Sequence, residues 1–451
     1  MSDDRSLLDL ALRIAARASE REDVEAYVTH ARNFNVKVYD GEVESLSSAE
    51  PRGAGVRVLA GGRVGFAYST DLSETGLDEL VARGRDNARH ADPDDAAGLA
   101  ERADGDSLAD LVDDAHAGVA VERKVEFALD VERATRGADR RVRGVEESVY
   151  ADSDTEVAIA SSTGLAGSYR RTDAWCYSIA LVTEGDETQV GFDFELGRGL
   201  GALDAAALGR RAAERGLRVL GARKIPSTRL PVVFDPYVAG QFLGVLGSAL
   251  TGEAVQKGRS LFAGRLGEPV ASETLTLVDD GRAPGAPGSA PWDGEGVPTQ
   301  RTEVVRDGVL HSYLYDVRSA RREGRASTGN AARAGFSSPP HPAPTNLAFD
   351  PTGQSADDVM RSAGRALLVQ DFHGVHSGAN PVSGDFSVGA TGMLLEDGAP
   401  TRPVREVTIA APMLDVLAGI VAVADDRRWL PFGGSYGGAT TLVAEMTVAG
   451  E

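Results

Sequence analysis

His373 and His376 stand three residues apart in DFHGVHSG, the tightest histidine spacing in the chain. On a helix face such a pair could share a metal ion. Here the pair follows an alternating apolar run and sits among glycines, with no third ligand nearby in sequence. It reads as a structural or substrate-facing turn at a strand end. The other histidines (His30, His90, His116, His311 and His341) are scattered, and neither HExxH nor HExxxH occurs. That removes a helical zinc site of the usual kind. A second set is acidic: Asp279, Asp280, Asp293 and Glu295. Paired carboxylates can do acid–base work or bind a hard cation. Asp293-Gly294-Glu295-Gly296 is compact, and its glycines suit close approach by a ligand or a neighbouring strand. With no histidine or metal ligand in the motif, structure or peptide binding comes ahead of catalysis.

Ser327 opens STGNA (327–331). It lacks the GxSxG elbow of a hydrolase nucleophile, and no base is identifiable. Ser327, Thr328 and Asn330 instead suit a tight hydrogen-bonded turn. The stretch GVRVLAGGRVGF (55–66) fits neither a Walker loop nor GxGxxG between strand and helix. It is expected to be a hairpin. No catalytic set is complete.

The elements that must position these residues follow from periodicity. Leu7, Leu8, Leu10, Ala11, Ile14 and Ala15 recur at helical spacing, which predicts a helix over 5–20. Further helices are expected at 74–90, 121–136 and 203–220. Strand pairs are expected to turn at Asp40-Gly41 and Gly61-Gly62, then at Asp152–Asp154, Thr163-Gly164 and Glu184–Asp186. The acidic stretch 92–118 reads as an exposed connection with one short helix, and RKIPSTRLP (223–231) as a linker. Beyond it come strand 232–234, the glycine-rich helix VAGQFLGVLGSALTG (238–252), long loops at 281–300 and 332–346, a hairpin turning at Asp307-Gly308, and helices at 355–365 and 412–422. Gly240, Gly244 and Gly247 fall on one face of the glycine-rich helix, where another element can approach. The whole is α+β: two sheet-rich domains, 1–225 and 226–451, with curved, mainly antiparallel sheets flanked by helices.

Composition narrows the function. The net charge of −21 repels phosphate backbones, so nucleic acid is not an expected partner. The single cysteine, Cys176, permits neither an intramolecular disulfide nor a Cys-based zinc cluster. The N-terminal segment places Arg13 and Arg17 inside its apolar pattern, as an amphipathic helix does and a signal peptide does not. No run of 18 apolar residues occurs, so no membrane span is expected, and the expected location is the cytoplasm.

Taken together, WDGEGVPTQ (292–300), DGVLHSYLYDVRSAR (307–321), STGNAAR (327–333), PTNLAF (344–349), FHGVHSGANPVSGDFSVGATGMLLEDG (372–398) and MTVAG (446–450) resemble the TldD/PmbA family, the TldD–TldE metallopeptidase system. The first half agrees through VKVYDGEVESLSSAEPRGAGVRVLAGGRVGFAYST (36–70) and SSTGLAGSYRRT (161–172). The resemblance implies a heterodimer enclosing a cavity in which an unfolded or short peptide, such as the leader of a modified ribosomal peptide, is cut by zinc in the TldD-type subunit. That branch carries HExxxH on the helix after the first strand of the C-terminal half, and a cysteine near the C-terminus. In this chain the motif positions fall near Leu243, Gly244 and Ser248, and the terminal segment lacks a cysteine. The resemblance therefore implies a TldE (PmbA)-type subunit: non-catalytic, without a cofactor of its own, paired with a zinc-bearing HExxxH partner. Asp293, Glu295, Gly296, Ser327, Thr328, Asn330, His373, His376, Asn380, Asp385 and Ser387 are its candidates for a peptide groove or interface. Two other readings stay open: a stand-alone peptide-binding or scaffold protein, and a hydrolase using Asp293, Glu295, His373 or His376. The family's older label, modulator of DNA gyrase, implies DNA contact, which the net charge opposes.

Overall fold

Asp40 and Gly41 both take positive φ, 51° and 80°. A two-residue hairpin turn needs that backbone, and here it joins β1 (Asp23–Tyr39) to β2 (Glu42–Ala49). Gly61 and Gly62 repeat the device between β3 (Arg52–Ala60) and β4 (Arg63–Ser69). The computed structural model describes residues 6–102, 107–430 and 434–451. In it, α1 (Leu7–Ala15) precedes β1, and α2 (Glu74–His90) follows β4 with Ser73 Oγ accepting from the Gly76 amide at its start. The predicted helix start at Arg5 lies outside the described residues. Then come α3 (Val121–Gly137), three long strands, β5 (Val142–Ser161), β6 (Ala166–Glu184) and β7 (Glu187–Gly197), and α4 (Ala205–Arg218). The strands form one antiparallel sheet in the order β4-β3-β1-β5-β6-β7, with β2 also on β1.

Side-chain alternation gives this sheet two different faces. Val24, Ala26 and Val28 of β1 pack with α1 and α2, and Ala174 and Cys176 of β6 pack with α3. The opposite face, with Glu25, Tyr27 and Thr29 of β1 and Tyr169, Arg171 and Asp173 of β6, looks toward the second half of the chain.

The first helix stops at Ala15, short of the expected residue 20, and two other expectations fail in this half. No turn interrupts Asp152–Asp154, because β5 runs straight through them. Both carboxylates find partners on the sheet instead: Tyr150 Oη (2.7 Å) and Lys124 Nζ (2.6 Å) for Asp152, and a two-pronged Arg170 (2.7 and 2.8 Å) for Asp154. The stretch 92–118 is not a simple exposed connection either. Ala96, Leu99, Ala100, Leu111 and His116 are buried, its one helical piece is a 3-10 turn at His116–Gly118, and its residues 103–106 lie outside the described set.

The second half opens with β8 (Thr228–Phe234), which takes in the end of the expected linker, and α5 (Pro236–Ala249). Next come α6 (Gly252–Gln256), β9 (Leu277–Asp280), β10 (Arg301–Arg306), β11 (Val309–Leu310), α7 (Val317–Arg322), β12 (Ala331–Ala332), β13 (His341–Pro342) and β14 (Leu347–Phe349). The remaining elements are α8 (Ala356–Ala363), β15 (Ala366–His373), α9 (Val375–Gly378), β16 (Ser387–Glu396), β17 (Ala399–Ala410), α10 (Met413–Gly419), β18 (Ile420–Val423), β19 (Arg428–Leu430), β20 (Tyr436–Gly438) and β21 (Thr441–Ala449). The last expected helix thus stops at Gly419, and β-branched Ile420 and Val421 continue as strand.

One sheet runs β17-β16-β15-β8-β21, and β17 also pairs with β21, so these five strands close on themselves as a barrel. A second sheet runs β11-β10-β9-β14-β20-β19. Phe234, Phe242, Phe372 and Phe386 lock α5 onto the barrel, with ring centroids 5.4–5.8 Å apart. Each such ring contributes roughly 2–3 kcal/mol by burial. The architecture is α+β with mostly antiparallel, curved sheets. No described helix is long and apolar enough to cross a membrane.

Candidate functional site

The free face of the first sheet and the long loops of the second half enclose a cavity of about 840 Å³. Its floor is strand alternation made visible: Tyr27, Thr29, Ala31 and Asn33 from β1, and Tyr169, Arg171, Asp173 and Trp175 from β6. Its roof comes from the loops that carry Trp292, Asp293, Asn330, Arg333 and Phe336. Gly167 lets the Trp292 ring lie close against the sheet, since a Cβ there would stand 3.1 Å from the indole.

Asp293 is half-buried at the cavity wall. Its Oδ1 accepts from the Glu295 and Val297 amides (2.8 and 2.9 Å), and its Oδ2 from the Ala331 amide (3.0 Å). The carboxylate therefore shapes the DGEG loop and ties it to β12. Burial, then the nearby Glu295 charge, push this carboxyl up to about 7 against those three donors. Gly296 has φ +82°, and a Cβ there would run into Leu165 in the turn between β5 and β6, so glycine is required twice over. Asn330 also lines the cavity. Its Nδ2 donates to Asp279 Oδ2 at 2.6 Å, and the Thr345 and Asn346 amides donate to Asp279 Oδ1 at 2.8 and 3.0 Å. Asp279 is fully buried, and burial pushes it up to about 6 despite these donors.

Behind the cavity wall lies a chain of ions of which sequence reading named only Glu295. Glu25 on β1 accepts two hydrogen bonds from Arg57 on β3 and a third contact from Arg333 of the roof. Arg57 reaches on to Glu295 Oε1 (2.7 Å), whose other oxygen accepts from the Val317 amide at the start of α7 (2.8 Å). Arg333 Nε donates to the Gly294 carbonyl (2.6 Å), and its guanidinium lies over the Tyr27 ring at 4.7 Å. Burial opposes charge on Glu25, but Arg57 and Arg333 outweigh it and hold the carboxyl below its usual range. Burial pushes Glu295 up, with Arg57 opposing. Glu25 and Arg57 are cross-strand partners in the β1–β3 register, a signal that pairing the two hairpins would have exposed. Arg333 carried no such signal, being 308 residues from Glu25.

The other candidates divide. Ser327 Oγ donates to the Tyr315 carbonyl (3.0 Å) and accepts from the Gly329 amide (3.1 Å); Thr328 Oγ1 accepts from the Tyr315 amide (2.7 Å) and donates to Asn330 Oδ1 (2.6 Å). Both hydroxyls belong to a turn. His373, His376, Asn380, Asp385 and Ser387 are exposed on the segment from the end of β15 to the start of β16, and none lines the cavity. His373 Nε2 meets Thr391 Oγ1 at 2.9 Å, Asn380 Oδ1 accepts from the Val382 amide at 2.9 Å, and Ser383 Oγ donates to Asp385 at 2.6 Å. The fold thus separates the acids at 293 and 295 from the histidines at 373 and 376.

α5 behaves differently from the cavity. Leu243 is buried carbon, Gly244 offers no side chain, and Ser248 Oγ turns back to the Val245 carbonyl at 3.2 Å. Zinc needs at least three protein ligands, and the residues at these positions do not fit it. The glycine face is filled by a neighbour instead. A Cβ on Gly247 would stand 2.9 Å from Pro344 and 3.0 Å from the Tyr436 ring, one on Gly244 3.5 Å from that ring, and one on Gly240 would collide with Leu430. The element that approaches is the β19–β20 pair.

Comparison with known proteins gives three consecutive family matches. Residues 24–88 match PmbA/TldA metallopeptidase domain 1, residues 115–220 the central domain, and residues 227–450 the C-terminal domain. The metalloprotease PmbA of Escherichia coli O157:H7 is 29% identical over 99% of this chain and 97% of its own length. The metalloprotease TldD homologue of Haemophilus influenzae is 29% identical over 86% of this chain and 82% of its own. A crystal structure of TldE from Thermococcus kodakarensis shares the fold, with a TM-score of 0.89 at 22% identity over 99% of this chain and all of that one. Both the sequence motifs and the architecture therefore have one explanation: the chain belongs to the PmbA/TldD metallopeptidase family.

Proposed function

We propose that this chain is the TldE-type subunit of a TldD/TldE zinc peptidase: it supplies no metal ligands, completes a chamber with an HExxxH sister subunit, and holds an unfolded or short peptide for that sister to cut. The observation that carries the reading is α5. Its motif positions hold Leu243, Gly244 and Ser248, and its glycine face is packed against Tyr436 and Pro344. The sister would have the same fold, since TldD-type relatives align along most of this chain. The 840 Å³ cavity, walled by aromatic rings and loop backbone, is the place assigned to peptide. Leader segments of modified ribosomal peptides are the substrate class, the cytoplasm is the location, and zinc belongs to the sister alone.

Co-expression with the HExxxH gene of the same genome tests this. The two chains should co-purify as a heterodimer. Zinc and cleavage of an unfolded peptide should appear only in the pair. Recovery of this chain alone after gentle lysis, or zinc-dependent cleavage by the isolated chain, would sink the reading. The first result would leave a stand-alone peptide binder, and the second an enzyme in its own right.

A further inference from the structure

The cavity floor carries more hydrogen-bond donors than its own acceptors use. Asp173 is shared by two guanidiniums: Arg171 Nε donates to its Oδ2 at 2.7 Å and Arg198 Nη1 to its Oδ1 at 2.5 Å. One negative charge thus faces two positive ones. Arg198 Nη2 is engaged by the Ala286 carbonyl at 2.7 Å, while its Nε is buried with no partner. Both terminal nitrogens of Arg171 lack a hydrogen-bond partner among the described residues, and the residue lines the cavity. Tyr27 is 8% exposed, and Tyr169 is half-buried beside it; each lines the cavity with a phenol that has no hydrogen-bond partner among the described residues. Aromatic rings of Trp175 and Trp292 flank this group. A planar guanidinium with two free amino groups matches a carboxylate, and a partly enclosed site strengthens that bond.

We propose that Arg171 and Arg198, bridged by Asp173 on the cavity floor and flanked by Tyr27 and Tyr169, form a carboxylate-binding subsite that anchors a peptide by its free C-terminus. This rests on the reading of the cavity as a peptide chamber and adds which end of the peptide is held. Arg171 supplies the two-pronged contact, the phenols donate to the remaining lone pairs, and the indoles cover the adjoining side chain. An acidic side chain within a peptide offers the same chemistry, as does inorganic phosphate, so the experiment separates the three.

The full chain is titrated with Ala-Ala-Phe as free acid, the same tripeptide as its C-terminal amide, N-acetyl-Ala-Asp-Phe-amide, and sodium phosphate, followed by tryptophan fluorescence and calorimetry. The free acid should bind at least about tenfold tighter than the amide. Arg171→Gln should erase that preference, and Arg171→Lys should keep part of it. Circular dichroism and Tm establish that each variant is folded; should Arg171→Gln not fold, Arg171→Lys carries the test, and an undiminished preference in that variant overturns the subsite. Equal binding of acid and amide to the unmodified chain overturns the subsite and leaves the chamber standing. Binding of none of the three peptides overturns both, and phosphate binding alone in that case marks the floor as a simple anion site. Equal binding of the Asp-containing amide and the free acid overturns the assignment to the C-terminus.

Discussion

Two places in this molecule could have held the chemistry, and they are built in opposite ways. The wall between the first sheet and the loops of the second half is made of charge: Glu25, Arg57, Glu295 and Arg333 are buried together and joined by hydrogen bonds. The seat of α5 is made of carbon and of backbone: glycines, Leu243, Leu430 and the Tyr436 ring. A buried ion chain is a weak source of net stability but is very sensitive to loss of one member. A close backbone seat tolerates no added atom. The difference teaches that one region fixes how the two halves meet and the other fixes a helix against its neighbouring strands.

The largest effect should come from breaking the charged wall. Glu25→Ala leaves Arg57 and Arg333 without their shared partner and should cost about 3–5 kcal/mol, read as a fall in the urea midpoint. Survival of this variant at wild-type stability would end the contrast. The seat of α5 comes next. A Cβ on Gly438 would collide with the Pro236 carbonyl and the Gly240 amide. Gly438→Ala should therefore cost about 2–3 kcal/mol, seen as a lower Tm.

Asp293 gives a smaller effect that depends on pH. Its folded carboxyl titrates near 7 and its unfolded carboxyl near the ordinary 3.8. Between those values the folded state binds more protons than the unfolded one, so this group's contribution to stability falls as pH rises from about 4 to 7. Asp293→Asn removes that dependence. Measured by urea unfolding across pH, the variant's deficit relative to wild type should be greatest near pH 4–5 and shrink toward pH 8. The change should be on the order of 1–2 kcal/mol, less than the full shift because the side chain is half open. The smallest effect belongs to neither region: His373→Ala and His376→Ala, on the exposed segment, should each change stability by no more than about 0.5 kcal/mol.

Local signals made much of the fold legible. Asp-Gly and Gly-Gly pairs located the hairpins because only residues tolerant of positive φ make those turns, and the capped helix Glu74–His90 fell where its periodicity placed it. Asp152–Asp154 misled because aspartates favour turns only when their carboxylates lack better partners, and here Lys124 and Arg170 are those partners. At the site, Asp293, Gly296 and Asn330 announced themselves through glycine-rich motifs. Tyr27, Arg171, Arg198 and Arg333 did not. They stand on ordinary strands and loops, and only the folding of one sheet over distant loops brings them together. The histidines drew notice by spacing, a property that says nothing about whether a segment reaches the cavity.

The barrel closure has a consequence in time. β8 begins at Thr228, yet its antiparallel neighbour β21 begins at Thr441, and β17 closes against the same late strand. All seven strands of the first sheet lie within Asp23–Gly197 and can pair as soon as they leave the ribosome. β8 must wait for more than two hundred further residues, roughly ten to forty seconds at ordinary rates of synthesis. During that interval both edges of an apolar strand are open until β15 emerges, and one stays open until β21 does. The second half is thus assembled around β21, and a ribosome stalled before Thr441 leaves a finished first sheet beside an unclosed barrel.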